Sequence, residues 1–374
     1  SFHMPSAKYT DLVEKLPASV PFVGPEAQER TRGGEFAARL GANENVFGPS
    51  PKAIKAMSDA ASGVWMYGDP ESHDLRHALA QHHGIPTENI MIGEGIDALL
   101  GYLVRMFITQ GDKVVTSAGA YPTFNYHVDG FGGDLVKIPY HNDHEDLPAL
   151  LAKAKEVGAK LVYFANPDNP MGTTSKGTDI EAALDDIPDG CLLILDEAYV
   201  EFAPFDACPN IPIEQENVIR MRTFSKAYGM AGARVGYAMA EADLITGFNK
   251  IRNHFGMCRI SQAGALAALA DTDYLNQTIE NIDQARIRIA EIAKNHGLNS
   301  LPSATNFVAI DCGEDGDFAR AVLTEVVAAG VFVRMPFVAP QDRCIRISCG
   351  RPQDLDIFEK AFGPALALAR RKRA

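Results

Sequence analysis

The chain has 374 residues, 35 Lys+Arg against 48 Asp+Glu, a formal net charge of −13 at pH 7 and 46% hydrophobic residues. This length exceeds one typical domain and the apolar content is enough for a buried core, which excludes whole-chain disorder and predicts a large domain plus a smaller one. The acidic balance excludes a nucleic-acid or anionic-membrane surface, because both need a clustered positive field.

Only Ala369-Arg370-Arg371-Lys372-Arg373-Ala374 is locally basic, and it reads as a solvated tail. Cys191, Cys208, Cys258, Cys312, Cys344 and Cys349 are scattered without a C-x-x-C pair. That usage points to free thiols in a reducing cytoplasm rather than a disulfide framework. No stretch reaches the length of an apolar membrane span, and no signal-peptide pattern opens the chain. Ser1-Phe2-His3-Met4 reads as a cloning remnant.

Along the chain, short apolar runs alternate with helical patterns. Strands are predicted at Lys113–Ala118, Leu135–Tyr140, Lys160–Ala165, Cys191–Leu195, Val218–Arg222 and Val235–Ala240, and helices at Asp97–Ile108, Leu147–Val157 and Ile180–Ile187. Such alternation gives an α/β fold with a mainly parallel sheet sandwiched by helices. After Ala240 the pattern changes. Two helical stretches, Glu241–Asn253 and Gln262–His296, precede Asn306–Asp311, a helix at Asp317–Ala329, and strands at Val331–Arg334 and Cys344–Ser348. The expected division is an N-terminal arm (1–45) joining the small domain, a large domain (46–255) and a C-terminal α+β domain (256–374).

In open α/β sheets ligands bind beyond the carboxyl ends of the strands. Here the run Leu161–Ala165 leads into Asn166-Pro167-Asp168-Asn169-Pro170-Met171-Gly172, and Cys191–Leu195 into Asp196-Glu197-Ala198-Tyr199. Val218–Arg222 leads into Thr223-Phe224-Ser225-Lys226, and Met91-Ile92 into Gly93-Glu94-Gly95. Singly these are turns, caps and a solvent lysine. Together they place an amide, an acid, a phenol, a lysine and a glycine-rich turn around one crevice.

That set suits an aldehyde cofactor with a pyridine ring and a phosphate. Lys226 is the imine-forming amine, Asp196 holds the ring-nitrogen proton, and Asn169 and Tyr199 meet the ring oxygen. The helix start at Gly95-Ile96-Asp97, with Thr223 and Arg234, offers donors to a phosphate. Phe124 is the candidate for the ring face.

The run Thr223-Phe224-Ser225-Lys226-Ala227-Tyr228-Gly229-Met230-Ala231-Gly232-Ala233-Arg234-Val235-Gly236-Tyr237 resembles the lysine signature of the class I/II (fold type I) aminotransferases. With Asn166–Gly172, Asp196–Tyr199 and Leu40-Gly41-Ala42-Asn43-Glu44-Asn45, the chain is most similar to their histidinol-phosphate branch, from about residue 20 to residue 352. The resemblance implies pyridoxal 5'-phosphate (PLP) on Lys226 and amino-acid and keto-acid substrates. It also implies a homodimer in which Tyr67 reaches the phosphate bound by the partner subunit. An ordinary loop tyrosine is the competing reading of Tyr67.

Arg346 matches an arginine that grips the substrate carboxylate, and Arg334 and Asn43 match residues around the substrate. Strand alternation in Cys344-Ile345-Arg346-Ile347-Ser348 independently turns Arg346 away from Ile345 and Ile347, although a structural ion pair would use the same geometry. Three positions depart from the family. Phe22, in Val20-Pro21-Phe22, stands where a tyrosine hydroxyl contacts substrate phosphate; Val46 replaces a proline; and Ile96 replaces a serine in the phosphate turn. One hydroxyl bond to a charged group is worth roughly 1.5–3 kcal/mol, so phosphate recognition is weakened and an aromatic or broad-specificity transaminase is an alternative. A related threonine-phosphate decarboxylase activity would share the cofactor motifs. His82-His83 and His141-x-x-His144 lack the supporting ligands of a metal site, and no metal is expected.

Overall fold

Seven of the short apolar runs hydrogen-bond into one sheet. They are β1 (Ile90–Gly93), β2 (Lys113–Ser117), β3 (Asp134–Ile138), β4 (Leu161–Ala165), β5 (Leu192–Asp196), β6 (Val218–Thr223) and β7 (Gly236–Met239). Their spatial order is β1-β7-β6-β5-β4-β2-β3. The five strands β2 to β6 are parallel, and β7 runs antiparallel to both β6 and β1. The computed structural model describes residues 6–20 and 22–374. Ser1-Phe2-His3-Met4 and Pro21 lie outside the described residues.

Every residue of β4 and β5 is buried, as expected for central strands covered on both faces. On one face Leu99, Leu103 and Phe124 pack against Tyr163, Ile194 and Ile219. On the other, Leu150, Leu151 and Ile180 pack against Val162, Phe164 and Leu195. This sandwich sends the polar residues after β4, β5 and β6 to one edge.

In the C-terminal part, β8 (Phe307–Asp311) and β9 (Cys344–Ser348) pair antiparallel, with Ala309 opposite Arg346. The N-terminal arm reaches this part, because Ala38 and Arg39 pair with Val331 and Phe332, and Ala38 and Leu40 share its apolar core.

Three expectations change. The stretch Gln262–His296 is two helices, Arg259–Ala270 and Thr272–Asn295. Asp271 breaks it by capping the second helix, where its carboxylate accepts from the Tyr274 N–H and from the Ser50 hydroxyl. Glu241–Asn253 contains a six-residue helix, Ala242–Gly247, followed by a single 3₁₀ turn. The basic tail is not free: it is the last turn of helix Pro352–Arg373, whose Phe358, Phe362, Leu366 and Ala369 are buried. Lys372 pairs with Glu325 at 2.6 Å and Arg373 with Asp315 at 2.7 Å. An apolar stripe at helical spacing decides the outcome over the local charge.

Candidate active site

Beyond the ends of β4, β5 and β6 lies a cavity lined by Ile96, Asp97, Tyr121, Asp196, Lys226 and Arg234. A wider cleft continues from it past Asn169 and Lys226 to Asn43, Phe22, Arg334 and Arg346. Lys226 is common to both. Its Nζ donates to the Asn43 carbonyl at 3.3 Å and lies 5.4 Å from the Tyr199 ring centre.

Asp196 ends β5 and is 5% exposed. It accepts from the Tyr163 hydroxyl at 2.5 Å and the Ala198 N–H at 3.1 Å. Burial outweighs those bonds and pushes its carboxyl up to about 6. A protonated ring nitrogen against it would reverse that effect, since an opposite charge favours the ionised form.

Arg346, Asn169 and Tyr199 form a chain. The Arg346 Nη1 donates to Asn169 Oδ1 at 2.7 Å, and Asn169 Nδ2 donates to the Tyr199 hydroxyl at 3.4 Å. Arg346 Nη2 donates to the Gly41 carbonyl at 3.2 Å, while its buried Nε has no partner. Ile345 and Ile347 face the core, as alternation requires. Burial pushes the guanidinium down to about 10. Among the described residues Arg346 forms no ion pair with an acid, so the competing structural pair is absent there.

At the opposite side, Gly95 caps helix Ile96–Phe107 with φ of 87°. A Cβ there would approach Arg234 Nη2 to 2.3 Å, so only glycine allows the arginine this close. No side chain caps the helix, which leaves its first N–H groups to bind an anion. Arg234 adopts a left-handed φ of 56°, a conformation costing of order 1 kcal/mol or more and typical of ligand clamps. Its Nη1 donates to Ala231 O at 2.8 Å and Ser225 Oγ at 3.3 Å, and the Ser225 N–H donates to Thr223 Oγ1 at 2.9 Å. The donor set therefore fits a group with an anionic end and a protonatable ring: three cations without acid partners among the described residues surround one cleft, and a buried acid lies among them.

One assignment needs correction. Phe124 is fully buried, stacks on Tyr163 at 4.8 Å and lies outside the cavity lining. Pro122 starts helix Pro122–Gly130, so Phe124 and Val128 turn together into the core. Tyr121, just before the helix, lines the cavity instead and donates to Asp97 Oδ1 at 2.6 Å. Tyr121, Tyr163 and Ser225 also line the cavity and were missed from the sequence, where only the hydroxyl in Thr223–Lys226 offered a signal. Tyr67 is 76% exposed against the Phe255 ring and does not line this chain's cleft. Phe22 stands at the outer cleft, edge-on to Tyr126 at 6.2 Å, and Arg334 donates to Val23 O at 2.8 Å. His83 bonds the Tyr237 hydroxyl and His141 bridges to His144 in a turn. Among the described residues no group of three or more His, Cys, Asp or Glu could hold a metal, and no helix is long and apolar enough to cross a membrane.

Helices on both faces of a mostly parallel sheet, with a lysine-centred cleft at the strand ends, are the architecture of a transaminase. The chain belongs to the class I and II aminotransferases, PLP-dependent enzymes whose family model matches residues 38–362. It is similar to the histidinol-phosphate aminotransferase of Moorella thermoacetica, with 31% identity over 364 residues covering 96% of this chain and 93% of that one. The Jannaschia histidinol-phosphate aminotransferase is 35% identical over 317 residues, covering 84% and 88%. The crystal structure of histidinol-phosphate aminotransferase from Sinorhizobium meliloti in complex with PLP superposes with a TM-score of 0.93 and 51% identity, covering 97% of this chain and 98% of that one.

Proposed function

We propose that this chain is a histidinol-phosphate aminotransferase, moving an amino group between histidinol phosphate and 2-oxoglutarate with PLP as cofactor. The observation that carries this reading is the half-buried Arg346, without an acid partner among the described residues, in one cleft with Lys226 and the second cation Arg334, next to the cavity that holds Asp196. A buried cation without a counter-charge is costly and calls for an anionic ligand. Glutamate brings two carboxylates and histidinol phosphate one phosphate, and Arg346 and Arg334 are the cations that meet them.

PLP, when bound, supplies the electron sink that weakens bonds at the substrate α-carbon. Lys226 carries the cofactor and moves the proton at that carbon. Asp196 keeps the ring nitrogen protonated, and Asn169 and Tyr199 bond the ring oxygen. Gly95, Ile96 and Asp97 with Thr223, Ser225 and Arg234 hold the phosphate, and Tyr121 takes the place expected of Phe124. Asn43 and Phe22 line the substrate side.

The working form is a cytoplasmic homodimer that shares its sites through Tyr67. An exposed aromatic group of Trp65, Tyr67 and Phe255, respectively 81%, 76% and 59% exposed, supports a second copy there, and six free cysteines fit the compartment. The division into an arm (1–45), a large domain (46–255) and a small domain (256–374) is part of the same reading.

A steady-state comparison of histidinol phosphate with phenylalanine, reading glutamate formed from 2-oxoglutarate, tests the substrate. The phosphorylated amine is expected to give the higher kcat/KM; a higher value for phenylalanine selects the aromatic reading, which the Phe22, Tyr126 and Phe337 rim of the cleft favours. Release of CO₂ without glutamate identifies a lyase instead.

A further inference from the structure

Behind the Asn166–Gly172 loop two acids meet, and among the described residues no cation forms an ion pair with either. Glu145 is 5% and Asp168 2% exposed, and the two carboxyl groups are close neighbours. Glu145 also accepts from the Ser117 hydroxyl at 2.7 Å and the Ala165 N–H at 2.9 Å. Asp168 accepts from the Tyr140 hydroxyl at 2.9 Å and the Met171 N–H at 3.1 Å. The other titratable groups facing the pair are Tyr140, Tyr163, His144 and Arg346. Among the described residues neither acid forms an ion pair; Arg343, for example, pairs with Asp143 and Asp311.

Two ionised carboxylates are acceptors only and side by side can only repel. A second buried negative charge without an ion-paired cation is strongly disfavoured, so the two acids together hold a proton. What it fastens is specific. Ser117 ends β2 and Ala165 ends β4, so Glu145 is anchored to the rigid sheet. Asp168 and Met171 belong to the loop that carries Asn169, and Asn169 is the residue that Arg346 and Tyr199 meet.

We propose that Glu145 and Asp168 are positioning residues that share one proton, and that this link pins the Asn169 loop to the sheet so that Arg346 is aimed for its anion. The functional half rests on the site reading given above; the shared proton does not. When the proton leaves, two anions face each other, the loop loosens and substrate binding weakens.

The test uses the PLP-loaded enzyme as wild type, Glu145→Gln and Glu145→Leu. Infrared difference spectra at neutral pH are expected to show one protonated carboxyl lost in Glu145→Gln, with the signals of other buried acids cancelling. The Leu variant is expected to raise the KM for glutamate about tenfold, the loss of one hydrogen bond to a charged group, with kcat within about threefold. The Gln variant, whose amide N–H can donate to an ionised Asp168, is expected to bring that KM back to within about twofold of wild type and to lack its alkaline rise. An unchanged carboxyl band, or an equal KM increase in both variants, overturns the proposal. If Glu145→Leu does not fold, the infrared difference and the KM–pH profile of Glu145→Gln decide the question. Absence of transamination by the wild type would defeat the proposed function while leaving the infrared result standing.

Discussion

Asp196 makes the cofactor-free protein sensitive to pH in a way that can be worked out from its surroundings. Its carboxyl is pushed up by burial from the usual 3.8 to about 6. A raised acid binds its proton more tightly folded than unfolded, so the stability tied to it is full at low pH and falls as pH rises through the interval from about 4 to about 6. Holding the proton up to about pH 6 instead of about 4 corresponds to about 3 kcal/mol, reached above that interval. Because Asp196 is 5% exposed, solvent screening reduces this little. Other raised acids, Glu201 and Asp168 among them, titrate in the same range, so the readout is a difference. Urea unfolding of cofactor-free wild type and Asp196→Asn is expected to give curves whose gap changes by about 3 kcal/mol between pH ~4 and ~7, the wild type losing ground. Loading with PLP should shrink the gap, because a protonated ring nitrogen partners the carboxylate. Parallel stability curves for the two cofactor-free proteins would refute the reasoning.

Three further outcomes follow from the site. Lys226→Ala should abolish covalent retention of PLP, read by mass spectrometry after borohydride reduction, and lower turnover by about a thousandfold or more; retained attachment would remove Lys226 from its role. For Arg346→Gln, the KM for glutamate is expected to rise about a hundredfold, while thermal denaturation of the cofactor-free protein is unchanged or shifted upward, since an uncompensated buried cation is removed. A large loss of Tm would mean that Arg346 is structural. Phe22→Tyr should raise the histidinol-phosphate to phenylalanine ratio of kcat/KM about tenfold or more, the equivalent of roughly 1.5–3 kcal/mol; an unchanged ratio would place substrate discrimination elsewhere.

The parts of the site that could be read from the sequence are those tied to strand ends. A parallel strand buried on both faces must be an apolar run, so the first polar residue after it marks the sheet edge. Asp196, Thr223, Lys226 and the Asn169 loop were legible for that reason. What was not legible depends on helical phase and on contacts distant in sequence. Tyr121 and Phe124 are three residues apart, and composition ranks neither above the other. Pro122 begins a helix between them, which leaves one outside the helix facing the cavity and turns the other into the core. The basic tail misled because its charges drew attention from the apolar stripe Phe358, Phe362, Leu366 that fixes it. Glu145 shows the deeper limit. It lies 23 residues from Asp168 in sequence, in a segment with no motif of its own, and its partners Ser117 and Ala165 come from two other strands. A buried acid is conspicuous only once the fold shows that, among the described residues, no cation pairs with it. For that reason the residues lining the candidate cleft can be found from sequence, whereas the pairing of two buried acids behind it emerges only from three-dimensional packing.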